Sequence, residues 1–232
     1  MRATAGPLNL ADFTLDDLIH CYRTGIFPMS DGRDDEYLFL VDPPARGVLP
    51  LDGFHVPSRL ARTVRKDDYA VRIDSAFQQV IELCAEEALD RTSTWISHSI
   101  QALYQALFAR GLAHSVEVWR DGELIGGLYG VAIGGAFFGE SMVSRATDAS
   151  KIALVHLVAR LKAGGFKLLD CQFQTEHLRQ FGVVEIPKAR YLKQLAAAID
   201  LKADFYDLPS TATGKNVMDL LLNSTSSSAL TG

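Results

Sequence analysis

Cysteine is scarce: Cys21, Cys84 and Cys171 are the only three in 232 residues, far apart and without a Cys-x-x-Cys pair. Such spacing argues against a disulfide framework and against a zinc site, and it fits a reducing compartment. Long apolar runs are missing too. No stretch approaches the roughly 20 apolar residues of a membrane-spanning helix, and the opening MRATAGPLNLADFTLDDL has no apolar signal region, so a soluble cytoplasmic protein without membrane contact is expected. Positive charge is not in excess. The formal net charge of -5 is the opposite of a generic nucleic-acid binder. The histidines at 20, 55, 98, 114, 156 and 177 form no His-Glu-x-x-His or similar metal spacing. The glycine-rich GELIGGLYGVAIGG contains neither a dinucleotide-binding nor a phosphate-loop pattern, so its glycines are read as permitting tight turns and close backbone approach.

What is present is a globular composition, 48% hydrophobic and 22% charged, in a chain long enough for one large core or a core plus a small second domain. Thr14 with Asp17 three residues on reads as a capping box for a helix carrying Leu15, Leu18, Ile19 and Tyr22 inward and stopping at Gly25. The Gly-, Pro- and Asp-rich GIFPMSDGRDDEYLFLVDPPARGVLPLD follows, which suggests short strands and turns in a compact module over residues 1–62. From Asp74 the periods lengthen. Asp74 is expected to cap a helix with Phe77, Val80, Ile81, Cys84 and Ala88 on one face, and Ser97 a second one ending at Gly111. HSVEVWRDGELIGGLYGVAIGGAFFGESM reads as an antiparallel meander turning at Asp121-Gly122 and Ile133-Gly134-Gly135. A helix capped by Asp148, the strand FKLLDCQ, and helices near 175–181 and 189–199 complete an α+β domain over 63–206. The Ser/Thr-rich tail 207–232 is expected to be mobile, apart from a helical turn at 217–222.

Several side chains stand out chemically. In GGAFFGESMVSR, Glu140 follows an apolar run that reads as a buried strand, although burying an unpaired carboxylate costs several kcal/mol (about 3 or more). In FKLLDCQF, strand alternation puts Asp170 and Gln172 on one face. Asp170 would then orient the Gln172 amide, whose oxygen accepts a hydrogen bond from an amine; a polar pair satisfying nearby backbone is an equal reading. Cys171 points away from both and reads as a core residue rather than a thiol nucleophile. Residues 59–72, RLARTVRKDDYAVR, set Arg59, Arg62, Arg65, Lys66 and Arg72 against Asp67 and Asp68: a phosphate footprint, or equally a solvated helix face. Trp95 and Tyr104 read as core aromatics or as platforms for a nucleobase.

Taken together, YRTGIFPMS, TWISHSIQALYQALFARGLAHSVEVWRDGELIGGLYGV, FFGESMVSRATDASKIAL, KLLDCQF and FGVVEIPKARYLKQL resemble the bacterial leucyl/phenylalanyl-tRNA protein transferases, in register from about Leu18 to Leu195. The resemblance implies a small N-terminal domain and a GNAT, or acetyltransferase-like, catalytic domain with a central mostly antiparallel sheet. It implies transfer of Leu, and also Phe or Met, from aminoacyl-tRNA to the α-amine of proteins beginning with Arg or Lys, which creates a degradation signal of the N-end rule pathway. An aminoacyl ester is already activated, so the resemblance implies no metal, no cofactor and no covalent enzyme intermediate, and orientation and proton management are the main tasks. By similarity Asp170 polarises Gln172, which draws the proton from the attacking amine, and Glu140 helps hold the substrate α-amino group. An amide is a very weak base, so an orienting, hydrogen-bonding role fits Gln172 better. The resemblance also assigns Leu128, Phe137, Leu154 and Leu169 to an apolar amino-acid pocket, Trp95 and Tyr104 to the surroundings of the 3′-terminal adenosine, and the stretch with Arg59 and Arg62 to the acceptor stem. Met29 stands where the family often has a tryptophan that stacks on the adenosine, and FLVDPPAR replaces the usual WWSPDPR. A monomer is expected. The alternatives are a non-catalytic tRNA-binding module and a CoA-dependent acyltransferase, although SRATDASK lacks the glycine turn that a CoA pyrophosphate needs.

Overall fold

A computed structural model describes residues 7–9, 12–86 and 94–227. The first helix, α1 (Leu15–Arg23), begins at the expected reciprocal cap: the Asp17 amide donates to Thr14 Oγ1 at 3.1 Å and the Thr14 amide to Asp17 Oδ2 at 2.9 Å. Strands β1 (Leu8–Asn9), β2 (Phe27–Met29) and β3 (Tyr37–Val41) form a small antiparallel sheet in the order β1-β3-β2.

The next strand, β4 (Ala45–Val48), does not stay with them. It enters a seven-stranded sheet with β5 (Ala70–Ile73), β6 (Ala113–Arg120), β7 (Glu123–Ile133), β8 (Ala136–Ser144), β9 (Leu168–Asp170) and β10 (Val184–Pro187), in the order β10-β4-β9-β8-β7-β6-β5. The segment 1–62 therefore shares a sheet with the rest of the chain. Every pairing in the large sheet is antiparallel except β8 with β9. The β6–β7–β8 meander forms as the alternation predicts, and its first turn uses Asp121 (φ 52) and Gly122 (φ 83), the left-handed pair a tight two-residue hairpin requires.

Helix α2 (Ser58–Lys66) follows β4. The other helices are α3 (Phe77–Ala85), α4 (His98–Ala109), α5 (Ala149–Ala163), α6 (Glu176–Arg179), α7 (Lys188–Ala198) and α8 (Gly214–Ser227). One core cluster holds Tyr22, Ile81, Tyr104, Phe138 and Leu195; a second holds Val64, Phe137, Leu154, Leu169 and Met218. Ser97 caps α4 as read, accepting from the Ile100 amide at 3.2 Å.

Two caps differ from expectation. Asp74 sits at φ 56 and gives its carboxylate to the Ser115 amide (2.6 Å) and His114 Nδ1 (2.8 Å). The amides leading into α3 are instead held from the neighbouring strand, where Glu117 of β6 accepts from Ser75 N (3.1 Å) and Ala76 N (3.2 Å). Ala88, assigned to the same helix face, lies outside the described residues. Asp148 makes no cap bond to α5 and pairs with Lys151 at 2.8 Å.

In the tail, the helical turn expected at 217–222 is present and extends into a helix over Gly214–Ser227. Although residues 223–232 are rich in Ser and Thr, Val217, Met218 and Leu221 recur at helical spacing and are buried against α2 and α5. Burying such side chains contributes about 1.5–3 kcal/mol each, enough to hold α8 in place. Accordingly Met218→Ala should lower the unfolding free energy by about 2–4 kcal/mol in urea titration. A loss below about 0.5 kcal/mol would mean that this helix is not packed.

Candidate active site

Glu140 owes its position to a break in register. Along β7 and β8, Tyr129 pairs with Ser141 and Gly130 with Gly139, so Glu140 is the extra residue of a β-bulge in the middle of β8, not at its end. A bulge re-aims a side chain and bends its strand. On the other flank, β9 follows β8 only from Leu168 to Asp170, the latter opposite Phe138. Beyond that point the two strands separate, and a cavity of about 730 Å³ opens between them. Leu128, Leu154, Leu157 and Leu169 form apolar wall; Phe27, Met29, Trp95 and Phe173 also line it; Glu140 and Gln172 bring polar groups to it.

Glu140 is 9% exposed and fully engaged by neutral donors. Tyr104 Oη donates to Oε2 at 2.8 Å and Gln172 Nε2 to Oε1 at 2.9 Å. Since the single Tyr104 proton goes to the carboxylate, the Tyr22 hydroxyl, 2.7 Å away, donates to Tyr104. Tyr129 stands beside them, its hydroxyl buried and without a hydrogen-bond partner among the described residues. Burial pushes the Glu140 carboxyl up from 4.5 to about 7; the Tyr104 hydroxyl, backed by Tyr22, pulls it down only in part, the Asp170 charge pushes it further up, and the Arg46 charge, from beyond contact, pulls it slightly down. Among the described residues no cation contacts it.

Asp170 has the opposite surroundings. It is 0% exposed and faces Arg46, 2% exposed, whose Nε lies 3.0 and 2.9 Å from the two carboxylate oxygens and whose Nη2 lies 2.8 Å from Oδ2. Tyr191 Oη donates to Oδ2 at 2.7 Å, and the Gln172 amide N–H to Oδ1 at 2.8 Å. That last bond closes a turn in which an Asp side chain holds the backbone two residues on. It steadies Gln172 at φ 55, a left-handed conformation costing a non-glycine residue about 1 kcal/mol. Gly47 supports the same loop, accepting from the Cys171 amide and donating to the Gln172 carbonyl at 2.8 and 3.0 Å. A Cβ at Gly47 would come within 2.5 Å of the Phe173 backbone, so only glycine fits there.

The side-chain amide of Gln172 is thus not touched by Asp170. Alternation fails because the chain turns left-handed at Gln172, and Asp170 acts on the backbone. An ionised Glu140 only accepts, so it fixes the amide with Nε2 inward and leaves Gln172 Oε1 to accept a further hydrogen bond.

Of the expected pocket residues, Leu128, Leu154 and Leu169 line the cavity and Phe137 does not; its ring is fully buried and stacks on Phe205 at 5.7 Å. Met29 and Trp95 line the cavity, whereas Tyr104 is wholly buried behind it and touches Glu140. Cys171 packs against the second core cluster, as read, and also borders the cavity; burial raises its thiol far above the usual range, which leaves no thiolate for nucleophilic chemistry. Arg59 and Arg62 lie exposed on α2, outside the cavity. Sequence reasoning missed Arg46, Tyr191 and Tyr22 as site residues. Each lies in a stretch compared with the family, Arg46 ending FLVDPPAR, Tyr22 opening YRTGIFPMS and Tyr191 within FGVVEIPKARYLKQL, but nothing local marks their shared environment.

The family model for leucyl/phenylalanyl-tRNA protein transferase matches residues 48–196, and the model for the N-terminal domain of the same proteins matches residues 11–44. The chain belongs to the leucyl/phenylalanyl-tRNA protein transferase family. It is an aminoacyltransferase. A leucyl/phenylalanyl-tRNA–protein transferase of Caulobacter vibrioides is 64% identical over 202 residues, 87% of this chain and 93% of that one. Another, from Phenylobacterium zucineum, is 57% identical over 88% of this chain and 92% of its own length. Among solved structures, that of L-PGS from Bacillus licheniformis aligns with 71% of this chain and 55% of its own at 13% identity and a TM-score of 0.36. Among the described residues of the transferase, no helix is long and apolar enough to cross a membrane.

The raised Glu140 carboxyl gives the transferase a defined pH response. Folding favours the protonated form, so the stabilisation from Glu140 is complete below pH about 4.5, declines as pH rises, and is lost above about 7. Urea unfolding should therefore show the wild type losing stability from pH 5 to pH 8 by a margin that Glu140→Gln lacks. Parallel pH profiles for the two proteins would contradict the placement of the charge.

Proposed function

We propose that the cavity holds the aminoacyl end of Leu-tRNA or Phe-tRNA, with Met-tRNA as a further donor, and that the acyl group passes to the α-amine of a protein beginning with Arg or Lys. This rests on an apolar cavity, with Leu128, Leu154 and Leu169 in its wall, that also presents a buried carboxylate in contact with no cation among the described residues. A substrate with an apolar side chain and an α-ammonium complements both features. The acceptor nitrogen attacks the ester carbonyl carbon, the bond from that carbon to the ribose oxygen breaks, the amine loses a proton and the ribose oxygen gains one.

Three roles follow. Glu140 pairs with the α-amino group of the donor. Gln172 Oε1 accepts a hydrogen bond from the attacking amine and aligns it; an amide oxygen is too weak a base to do more. Asp170 contributes as a positioning residue, through the Gln172 backbone. Met29 and Trp95 flank the adenosine, a thioether and an indole both being able to cover a base face. The parallel β8–β9 pair within an otherwise antiparallel sheet supports placing the domain in the GNAT-like class. The product is a degradation signal of the N-end rule pathway.

With radiolabelled Leu-tRNA and a peptide beginning with Arg, label should move to the peptide without added CoA or metal, and Glu140→Ala should slow it at least about tenfold. Val-tRNA should serve at least about tenfold less well, its branched Cβ fitting the cavity poorly. Label that stays on the tRNA with the wild type would overturn the proposal in favour of a non-catalytic tRNA-binding module.

A further inference from the structure

A second concavity, of about 640 Å³, lies where the end of α5, the start of β9, β10 and α7 meet, and the mechanism makes no use of it. Its floor is apolar, with Leu51 and Ile186; its rim carries Lys162, Lys167 and Arg190. Against these stands one carboxylate, Asp52, which lies 2.8 Å from Lys162 Nζ. Lys167 and Arg190 are exposed and have no ion pair among the described residues. In a protein of net charge -5 this is a local excess of the opposite sign.

The segment that lines the groove with Pro50, Leu51 and Asp52 also reaches toward the active-site side: Phe54 stacks on Phe181 at 5.9 Å, and the His55 amide donates to the Phe181 carbonyl at 3.0 Å. Phe181 lies two residues after α6, whose His177 and Leu178 line the cavity. The same loop runs on into α2, where Arg59, Arg62 and Arg65 are exposed. One segment of chain, 50–58, thus has the cations of the groove at its start and those of α2 at its end, an arrangement suited to an extended polyanion.

Resting on the reading of aminoacyl-tRNA as donor, we propose that the groove of Lys167 and Arg190 binds the phosphodiester backbone of that tRNA beyond its 3′ end. Both side chains are free to approach phosphate oxygens, and Arg190 offers a planar fork suited to two of them. Each phosphate neutralised by a cation releases counterions, so the groove adds to the salt dependence of tRNA binding and contributes nothing to the chemistry at the ester.

The test combines Lys167→Ala with Arg190→Ala. In this variant the slope of log K against log salt for Leu-tRNA should become shallower by about 1–2, and KM for Leu-tRNA at 0.15 M salt should rise at least about threefold. With a 3′-leucyl-adenosine donor, which has no stem, KM and kcat should match the wild type. An unchanged salt slope overturns the proposal. So does a changed KM for an acidic acceptor polypeptide with an unchanged slope, which would make the groove a protein-docking surface. Failure of the wild type to transfer leucine would sink the donor reading alone, because the salt slope is measured by binding.

Discussion

One buried ion pair, Arg46 with Asp170, holds the active-site end of the molecule together. Arg46 comes from β4, and its remaining donors and faces reach in other directions. Nη1 donates to the Gly25 carbonyl at 2.9 Å, just after α1, and the guanidinium lies 4.6 Å from the Phe27 ring and 4.5 Å from the Tyr191 ring. Burial pulls the Arg46 proton affinity down, and the Asp170 charge and hydrogen bonds more than restore it. Such a pair adds little net stability over a well-packed apolar substitute, but removing one partner strands the other at a cost of about 3–5 kcal/mol. Its contribution is therefore geometric: it fixes Asp170, Asp170 fixes the left-handed backbone at Gln172, and Gln172 meets Glu140.

Glu140 and Asp170 are two buried carboxylates treated oppositely by their surroundings. Asp170 is neutralised by a guanidinium and further hydrogen bonds. Glu140 has only neutral donors, so its charged form is unfavourable in the empty protein. A group left in this condition gains from a cationic ligand in a way that a compensated one cannot. The β-bulge makes this possible, because without the extra residue the side chain would follow the strict alternation of β8.

Much of this was legible where it depends on neighbours in sequence. The Thr14–Asp17 capping box, the Asp121-Gly122 turn, the three-strand meander and the Ser97 cap are local choices of the chain. What escaped depends on distant partners. Asp74 is a good cap by type, yet Glu117 reaches the same amides from another strand. β4 reads as part of a small module, and only pairing with β9 and β10 draws it into the large sheet. A period of two places Gln172 beside Asp170, but an Asp-held turn overrides it at that residue. In the tail, a helical turn at 217–222 was legible, but the length of α8 and the burial of Val217, Met218 and Leu221 depend on α2 and α5 being in place. The apolar wall and Glu140 were indicated by resemblance to the family, whereas Phe137 shows that a matching position need not line the cavity.

Arg46 and Asp170 act as one unit. A double-mutant cycle in unfolding free energy with Arg46→Met and Asp170→Asn measures how strongly they are coupled. Each single substitution should cost about 3 kcal/mol or more, and the double substitution should cost at least about 2 kcal/mol less than the sum, because neither charge is then left alone. Costs that add to within about 0.5 kcal/mol would contradict the account.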